Sequence, residues 1–185
     1  MTQAQLTVLA GPTAVGKGTV VAALLKRYPH LRVSVSATTR NPRPGELNGV
    51  HYYFVSPSEF DSMIERGEML EWALVHGKNK YGTPHGPVDT ALAAGEPVLL
   101  EIDLAGARQV RANRPDAQFI FLAPPSWEEL ERRLVGRGTE GPEERERRLA
   151  TARVEMEAAS EFDHVVINDD VDRAVNELAG LIGLE

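Results

Sequence analysis

Apolar and polar positions along this chain repeat one order: a short apolar run, then apolar residues at helical spacing, then another run. Leu6-Thr7-Val8-Leu9-Ala10 is nearly continuous in apolar residues and predicts a buried strand. Val21, Leu24, Leu25 and Tyr28 follow at helical spacing. Leu31, Val33 and Val35 alternate and predict a strand over 31–36, and 51–55 reads as a short aromatic strand. Ser56-Pro57-Ser58-Glu59 then starts a helix, with Ser56 as cap, Pro57 at the first helical position and Glu59 closing a capping box. Phe60, Met63 and Ile64 form its apolar stripe, Val55 and Phe60 a staple across its entry, and Gly67 its end. Residues 68–75 read as extended, with Leu70, Trp72 and Leu74 on one face and Glu71 on the other. Tyr81-Gly82-Thr83-Pro84 reads as a polar loop, and a short helix runs from Pro87 to Ala94.

The apolar run 97–103 predicts a strand buried on both faces, followed by a helix from Leu104. Residues 117–123 predict another core strand, stopped by Pro124-Pro125. Ser126 and Glu129 cap the next helix, which turns Leu130 and Leu134 inward. A glycine-rich break over 136–142 leads into a helix over 142–160, a strand over 162–167, the turn Asn168-Asp169-Asp170 and a closing helix over 171–184. Strands alternating with helices predict an α/β fold, a mostly parallel sheet covered on both faces. Two polar excursions leave that core, at about 35–86 and 129–149.

Between the first strand and the first helix stands Gly11-Pro12-Thr13-Ala14-Val15-Gly16-Lys17-Gly18-Thr19. Strand, glycine-rich loop and helix are the setting of a P-loop. Its main-chain N–H groups turn inward around a phosphate, the helix N-terminus adds partial positive charge, and Lys17 adds a full one. Gly18 stands where a Ser or Thr usually meets magnesium, and Thr19 comes one position later. The Gly-Lys-Gly-Thr ending resembles adenylate kinases. The loop points to phosphate, and to ATP, without naming a reaction.

Composition narrows the partners. At 185 residues the chain makes one domain, or one core with insertions. A net charge of −7 argues against general nucleic-acid binding, so an anionic ligand needs cations gathered locally. No cysteine is present, which excludes disulfides and thiol chemistry and fits a cytoplasmic protein. The first residues lack a signal-peptide pattern, and no apolar stretch is long enough to span a membrane.

Four groups carry candidate chemistry. Arg40 and Arg43 sit in a loop stiffened by Pro42 and Pro44, either converging on an anion or solvated. Glu71 lies among large apolar residues, at a position where a carboxylate is ordinarily exposed. Asp103 ends a core strand, where open α/β sheets bind ligands, and is equally placed to cap the helix after it. Arg133, Arg137 and Arg148 lie on or between two helices; they describe either a hinged lid or a charged surface with Glu143–Arg147 and Glu144–Arg148 pairs.

With these pieces placed, the chain resembles the bacterial guanylate kinases almost end to end. Its most specific segment is Ser34 to Glu46, with Gly49 and Tyr52 beyond it; 68–73, 101–106, 136–140 and 166–170 also match. The resemblance implies a P-loop nucleoside monophosphate kinase fold with core segments 1–34, 87–128 and 150–185, a GMP-binding region at 35–86 and a lid at 129–149. It implies ATP-dependent phosphorylation of GMP, and of dGMP, with Mg2+ as cofactor, ATP and GMP as partners, and neither nucleic acid nor membrane. Arg40, Arg43, Tyr52 and Tyr81 would hold the GMP phosphate; Ser36, Glu71, Thr83 and Asp103 would surround guanine. Lys17, Arg133, Arg137 and Arg148 would serve transfer. The loop from Gly11 to Thr19 would hold ATP, and Asn168 and Asp169 would lie near adenine. Thr19 is the candidate magnesium hydroxyl, with Asp103 acting indirectly. Two alternatives are another nucleoside monophosphate kinase and a guanylate-kinase-like module that binds protein without catalysis.

Overall fold

The computed structural model describes residues 3–136 and 140–184. In chain order the elements are β1 (Leu6–Ala10), α1 (Lys17–Arg27), β2 (Arg32–Val33), β3 (Ala37–Thr38), β4 (Tyr53–Phe54), α2 (Pro57–Glu65), β5 (Met69–Val75), β6 (Asn79–Pro84) and α3 (His85–Ala93). They continue as β7 (Val98–Glu101), α4 (Leu104–Asn113), β8 (Gln118–Ala123), α5 (Trp127–Val135), α6 (Pro142–Glu157), a 3₁₀ turn (Ala158–Glu161), β9 (His164–Ile167) and α7 (Val171–Ile182).

Apolar runs line up as one five-stranded parallel sheet, in the order β2-β7-β1-β8-β9. Helices cover both faces. On one, Leu9, Leu99 and Ile120 pack with Leu24 of α1 and Leu178 of α7. On the other, Val8, Leu100 and Phe119 pack with Val88 of α3 and Val110 of α4. Each such fully buried side chain contributes about 1.5–3 kcal/mol relative to exposure. This is the mostly parallel, two-faced sheet that the alternation predicts.

A second, four-stranded sheet stands beside the first, in the order β4-β3-β6-β5. Its presence corrects two sequence readings. The expected strand over 31–36 shrinks to β2 in the first sheet, and the chain then crosses to β3, beginning at Ala37, in the second. The polar loop around Tyr81-Gly82-Thr83-Pro84 is strand, paired on both sides with β3 and β5. Periodicity misses it because backbone pairing, not an apolar face, makes it a strand. Gly82 permits the close fit: a Cβ there would lie 2.7 Å from Glu71 O and 2.9 Å from Trp72 Cβ.

β5 departs in burial too. The expected alternation of Leu70, Trp72 and Leu74 is interrupted by a register irregularity between Met69 and Glu71, and Leu70 is 2% exposed while Leu74 is 54%. α5 and α6 form a small cluster of their own around Leu130, Leu134 and Ala152. Of the expected ion pairs, Arg147 meets Glu144 at 3.3 Å instead of Glu143, and Arg148 meets Glu140 at 2.6 Å instead of Glu144. Among the described residues, no helix is long and apolar enough to cross a membrane.

Candidate active site

β1 ends at the glycine-rich loop, and the loop's shape follows from contact and torsion. A Cβ on Gly11 would lie 2.4 Å from Leu122 O, so only glycine lets the loop pass β8. Gly16 enters α1 with φ +95°, and no side chain caps the helix start. Its first N–H groups therefore stay available to an anion. Val15 O is held twice, by Asn168 Nδ2 at 2.8 Å and by Arg133 Nη1 at 3.1 Å. Lys17 folds back over the loop, donating to Gly11 O at 3.4 Å and Ile102 O at 3.3 Å. Burial pushes its ammonium below the ordinary lysine range, while Glu101, Glu155 and Asp103 pull it up.

Lys17's second contact, Ile102, follows the end of β7 and leads directly to Asp103. Its carboxylate caps α4, accepting from Gly106 N–H at 2.8 Å. It is also near enough to raise both Lys17 and Glu71. Capping and an electrostatic influence on both Lys17 and Glu71 thus coexist in one side chain.

The second sheet assembles the other group of candidate residues. Glu71 lies opposite Thr83, and Ala37 lies opposite both Gly82 and Tyr53. One further step of that register sets Ser36 beside Thr83 and Tyr52. Glu71, Thr83, Ser36 and Tyr52 therefore form a row across one face, because neighbouring strands point matched residues the same way. Tyr81 and Phe54 belong to the next row on that face. Thr83 is fully buried, and its hydroxyl donates to Glu71 Oε1 at 2.8 Å. Desolvation raises the Glu71 pKa above the usual carboxylate range; the Thr83 bond opposes this and Asp103 adds to it.

Arg40 reaches this face from its loop. Its guanidinium lies 5.2 Å from the Tyr52 ring centroid and 6.0 Å from that of Phe54. Tyr52 and Tyr81 meet edge to face at 5.9 Å. A residue that the sequence did not single out holds the arginine: Glu46 accepts from both Nη1 and Nη2 at 2.9 Å. Glu46 Oε1 also accepts the Arg43 N–H at 2.7 Å, so one carboxylate ties the Arg40 guanidinium to the Arg43 backbone. The pair of Arg40 bonds, then the Arg43 N–H, hold the Glu46 pKa down at about 2, so the tie survives to strongly acidic pH. The signal in the sequence was Glu46 three residues after Arg43 across the turn at Pro44-Gly45.

The remaining expected residues divide. Arg133 touches the phosphate loop, whereas Arg148 pairs with Glu140 in the α5–α6 unit. Arg137 lies outside the described residues. Asn168 is 5% exposed and acts as a strut beneath the loop, while Asp169 pairs with Arg173 at 2.8 Å. Thr19 is exposed in the first turn of α1. Glu155 was not anticipated; its Oε1 stands 3.5 Å from Thr13 N, and burial raises its pKa.

Comparison with known proteins gives the same picture over nearly the whole chain. The family model described as guanylate kinase matches residues 3–185. A guanylate kinase of Thermobifida fusca is 61% identical over 178 residues, covering 96% of this chain and 90% of that one. One from Streptomyces coelicolor is 60% identical over 177 residues, covering 96% and 89%. The crystal structure of guanylate kinase from Anaplasma phagocytophilum superposes with a TM-score of 0.72 at 30% identity, covering 99% of this chain and 86% of that one. A P-loop held from below by Asn168, an arginine-bearing loop tied by Glu46 and a carboxylate row on the second sheet thus sit in a chain that belongs to the guanylate kinase family.

Proposed function

We propose that the protein transfers the γ-phosphoryl group of ATP to GMP, giving ADP and GDP, with guanine read by Glu71. The observation that carries this reading is the half-buried Glu71 carboxylate, fixed by Thr83 in a row with Ser36 and Tyr52 and electrostatically linked to the phosphate loop through Asp103. Guanine presents N1–H and a 2-amino group, and one ionised carboxylate accepts from both. Adenine presents an acceptor at N1 and no 2-amino group, so it leaves Glu71 unpaired and repelled. A site built on buried polar groups rejects such a ligand by a factor of up to ~10⁴. Arg40, Arg43, Tyr52 and Tyr81 would receive the GMP phosphate, since a bidentate-capable guanidinium and phenol hydroxyls suit phosphate oxygens.

The loop from Gly11 through Pro12, Thr13, Ala14, Val15, Gly16, Lys17, Gly18 and Thr19 would hold the ATP phosphates, with Lys17 offsetting their charge. Arg133, bonded to Val15 O, would fix the loop from the lid side, and Arg137 and Arg148 would join on closure. The reaction needs alignment and charge stabilisation more than covalent chemistry. Closure would keep water from the transferring group. Hard oxygen donors suit Mg2+, which binds chiefly through nucleotide phosphates and retained waters. Thr19 supplies an exposed hydroxyl and Asp103 a carboxylate, a donor set that fits; the ion would supply charge neutralisation of the phosphates. Residues 35–86 would act as the GMP-binding unit and 129–149 as the lid.

Gly18 gives a prediction specific to this chain. Added atoms at Gly18 meet nothing within 4 Å, and its φ is not in the left-handed region. Gly18→Ser should fold at least as well, because glycine gives up more backbone freedom on folding than serine. The new hydroxyl should lower the Mg2+ concentration giving half-maximal rate; thermal melts and magnesium titrations check both. The function itself is tested by coupled ADP release with GMP, dGMP, AMP, CMP and UMP. Turnover confined to GMP and dGMP supports it. Comparable turnover of AMP favours another monophosphate kinase, and no turnover with any favours a binding module.

A further inference from the structure

β5 is the outer strand of its sheet, so the main-chain groups of Leu70 and Trp72 on its free side have no strand partner. Two amide side chains of α4 replace one. Gln109 Oε1 accepts Trp72 N–H at 3.1 Å, and Gln109 Nε2 donates to Trp72 O at 3.0 Å. Asn113 Nδ2 donates to Leu70 O at 2.8 Å. Gln109 and Asn113 are four apart and so project from one side of the helix. Leu70 and Trp72 are the two neighbours of Glu71, whose side chain points into the opposite, Thr83-bearing row.

We infer that Gln109, assisted by Asn113, is a positioning residue that fixes the reach and direction of the Glu71 carboxylate. α4 is part of the core: it follows β7, and Val110 and Ala107 pack into that core. Its first turn is capped by Asp103, which bears electrostatically on Glu71. One helix therefore sets both carboxylates: Asp103 at its start and, through main-chain bonds made by its body, Glu71 on the second sheet. Without the clamp, β5 beyond Leu70 pairs, among the described residues, with β6 alone, and its outer half is exposed. Small misplacement of an orienting group is expensive in an aligned site. The inference rests on the assignment of Glu71 to guanine.

Gln109→Met keeps length and helix preference and removes both bonds to Trp72. With Glu71 no longer held in place through Trp72, KM for GMP should rise about 10-fold, the scale of a small misplacement in an aligned site. KM for ATP should stay within about twofold, a split that a general loss of stability would not produce. The Trp72 amide should exchange about 10-fold faster in the variant, measured by hydrogen exchange of the full chain. An unchanged or lowered KM for GMP, or an equal rise for both nucleotides, overturns the inference. Gln109→Glu retains the acceptor for Trp72 N–H and loses the donor, so Trp72 protection should fall between wild type and Gln109→Met; protection equal to that of Gln109→Met overturns it as well. Failure of the wild type to turn over GMP defeats the guanine assignment, and the Trp72 exchange comparison still reads the clamp separately.

Discussion

Glu71→Gln should raise KM for GMP by roughly 100-fold while leaving KM for ATP within about twofold. A carboxylate accepts from both guanine donors; a carboxamide keeps one acceptor and turns an N–H₂ toward the other. Hydrogen bonds to charged groups contribute about 1.5–3 kcal/mol, which sets the scale of the loss. The same change should stabilise the empty protein at neutral pH. Burial holds the Glu71 pKa above its unfolded value. The folded state therefore binds the extra proton in the window between the two values, and stability falls as pH rises through it. Above the folded value the penalty is complete, and glutamine removes it. Thermal melts of wild type and variant from pH 4 to 8 should diverge upward with pH, the variant melting higher. For catalysis the sign is opposite: as pH falls through the raised value, wild-type kcat/KM for GMP should drop, and the variant should lack that limb.

Lys17→Met should reduce kcat about 10³-fold with the fold retained. Removing one preorganised charge or donor from a transition-state site typically costs 10²–10³. Lys17 is the one cation held within the loop itself, bridging Gly11 O and Ile102 O. Methionine keeps the buried stem but leaves both carbonyls without that donor and Glu101, Asp103 and Glu155 without its charge. Binding of ATP should weaken as well, because those three carboxylates then repel the phosphates unopposed. Single-turnover rates and calorimetry with ATP separate the two effects. A variant with wild-type kcat would remove Lys17 from the transfer site.

How much of this was legible beforehand depended on range along the chain. β1, β7 and β8 declare themselves because strands buried on both faces read as unbroken apolar runs. The caps at Ser56, Asp103 and Ser126 were readable because each bonds an N–H only three residues away. β6 was not, since Asn79 to Pro84 carries no apolar face and owes its state to partners at residues 37–38 and 69–75. The roles of Asn168 and Gln109 were hidden for the same reason: their partners lie 153 and 37 residues away. Asn168 was expected beside adenine from resemblance alone, and in the structure its amide supports Val15 O. Glu71 shows both sides of the matter. Alternation set it apart from Trp72, but only the pairing with Thr83 makes it a held, half-buried acceptor instead of an exposed strand carboxylate.

Calorimetry of GMP, IMP and AMP binding to the wild type reads the purine edge most directly. IMP keeps N1–H and lacks the 2-amino group, so affinity should fall in the order GMP, IMP, AMP, by about tenfold at the first step and more at the second. In Glu71→Gln the three affinities should converge. AMP binding as tightly as GMP to the wild type would contradict the account, because no carboxylate would then be choosing the base.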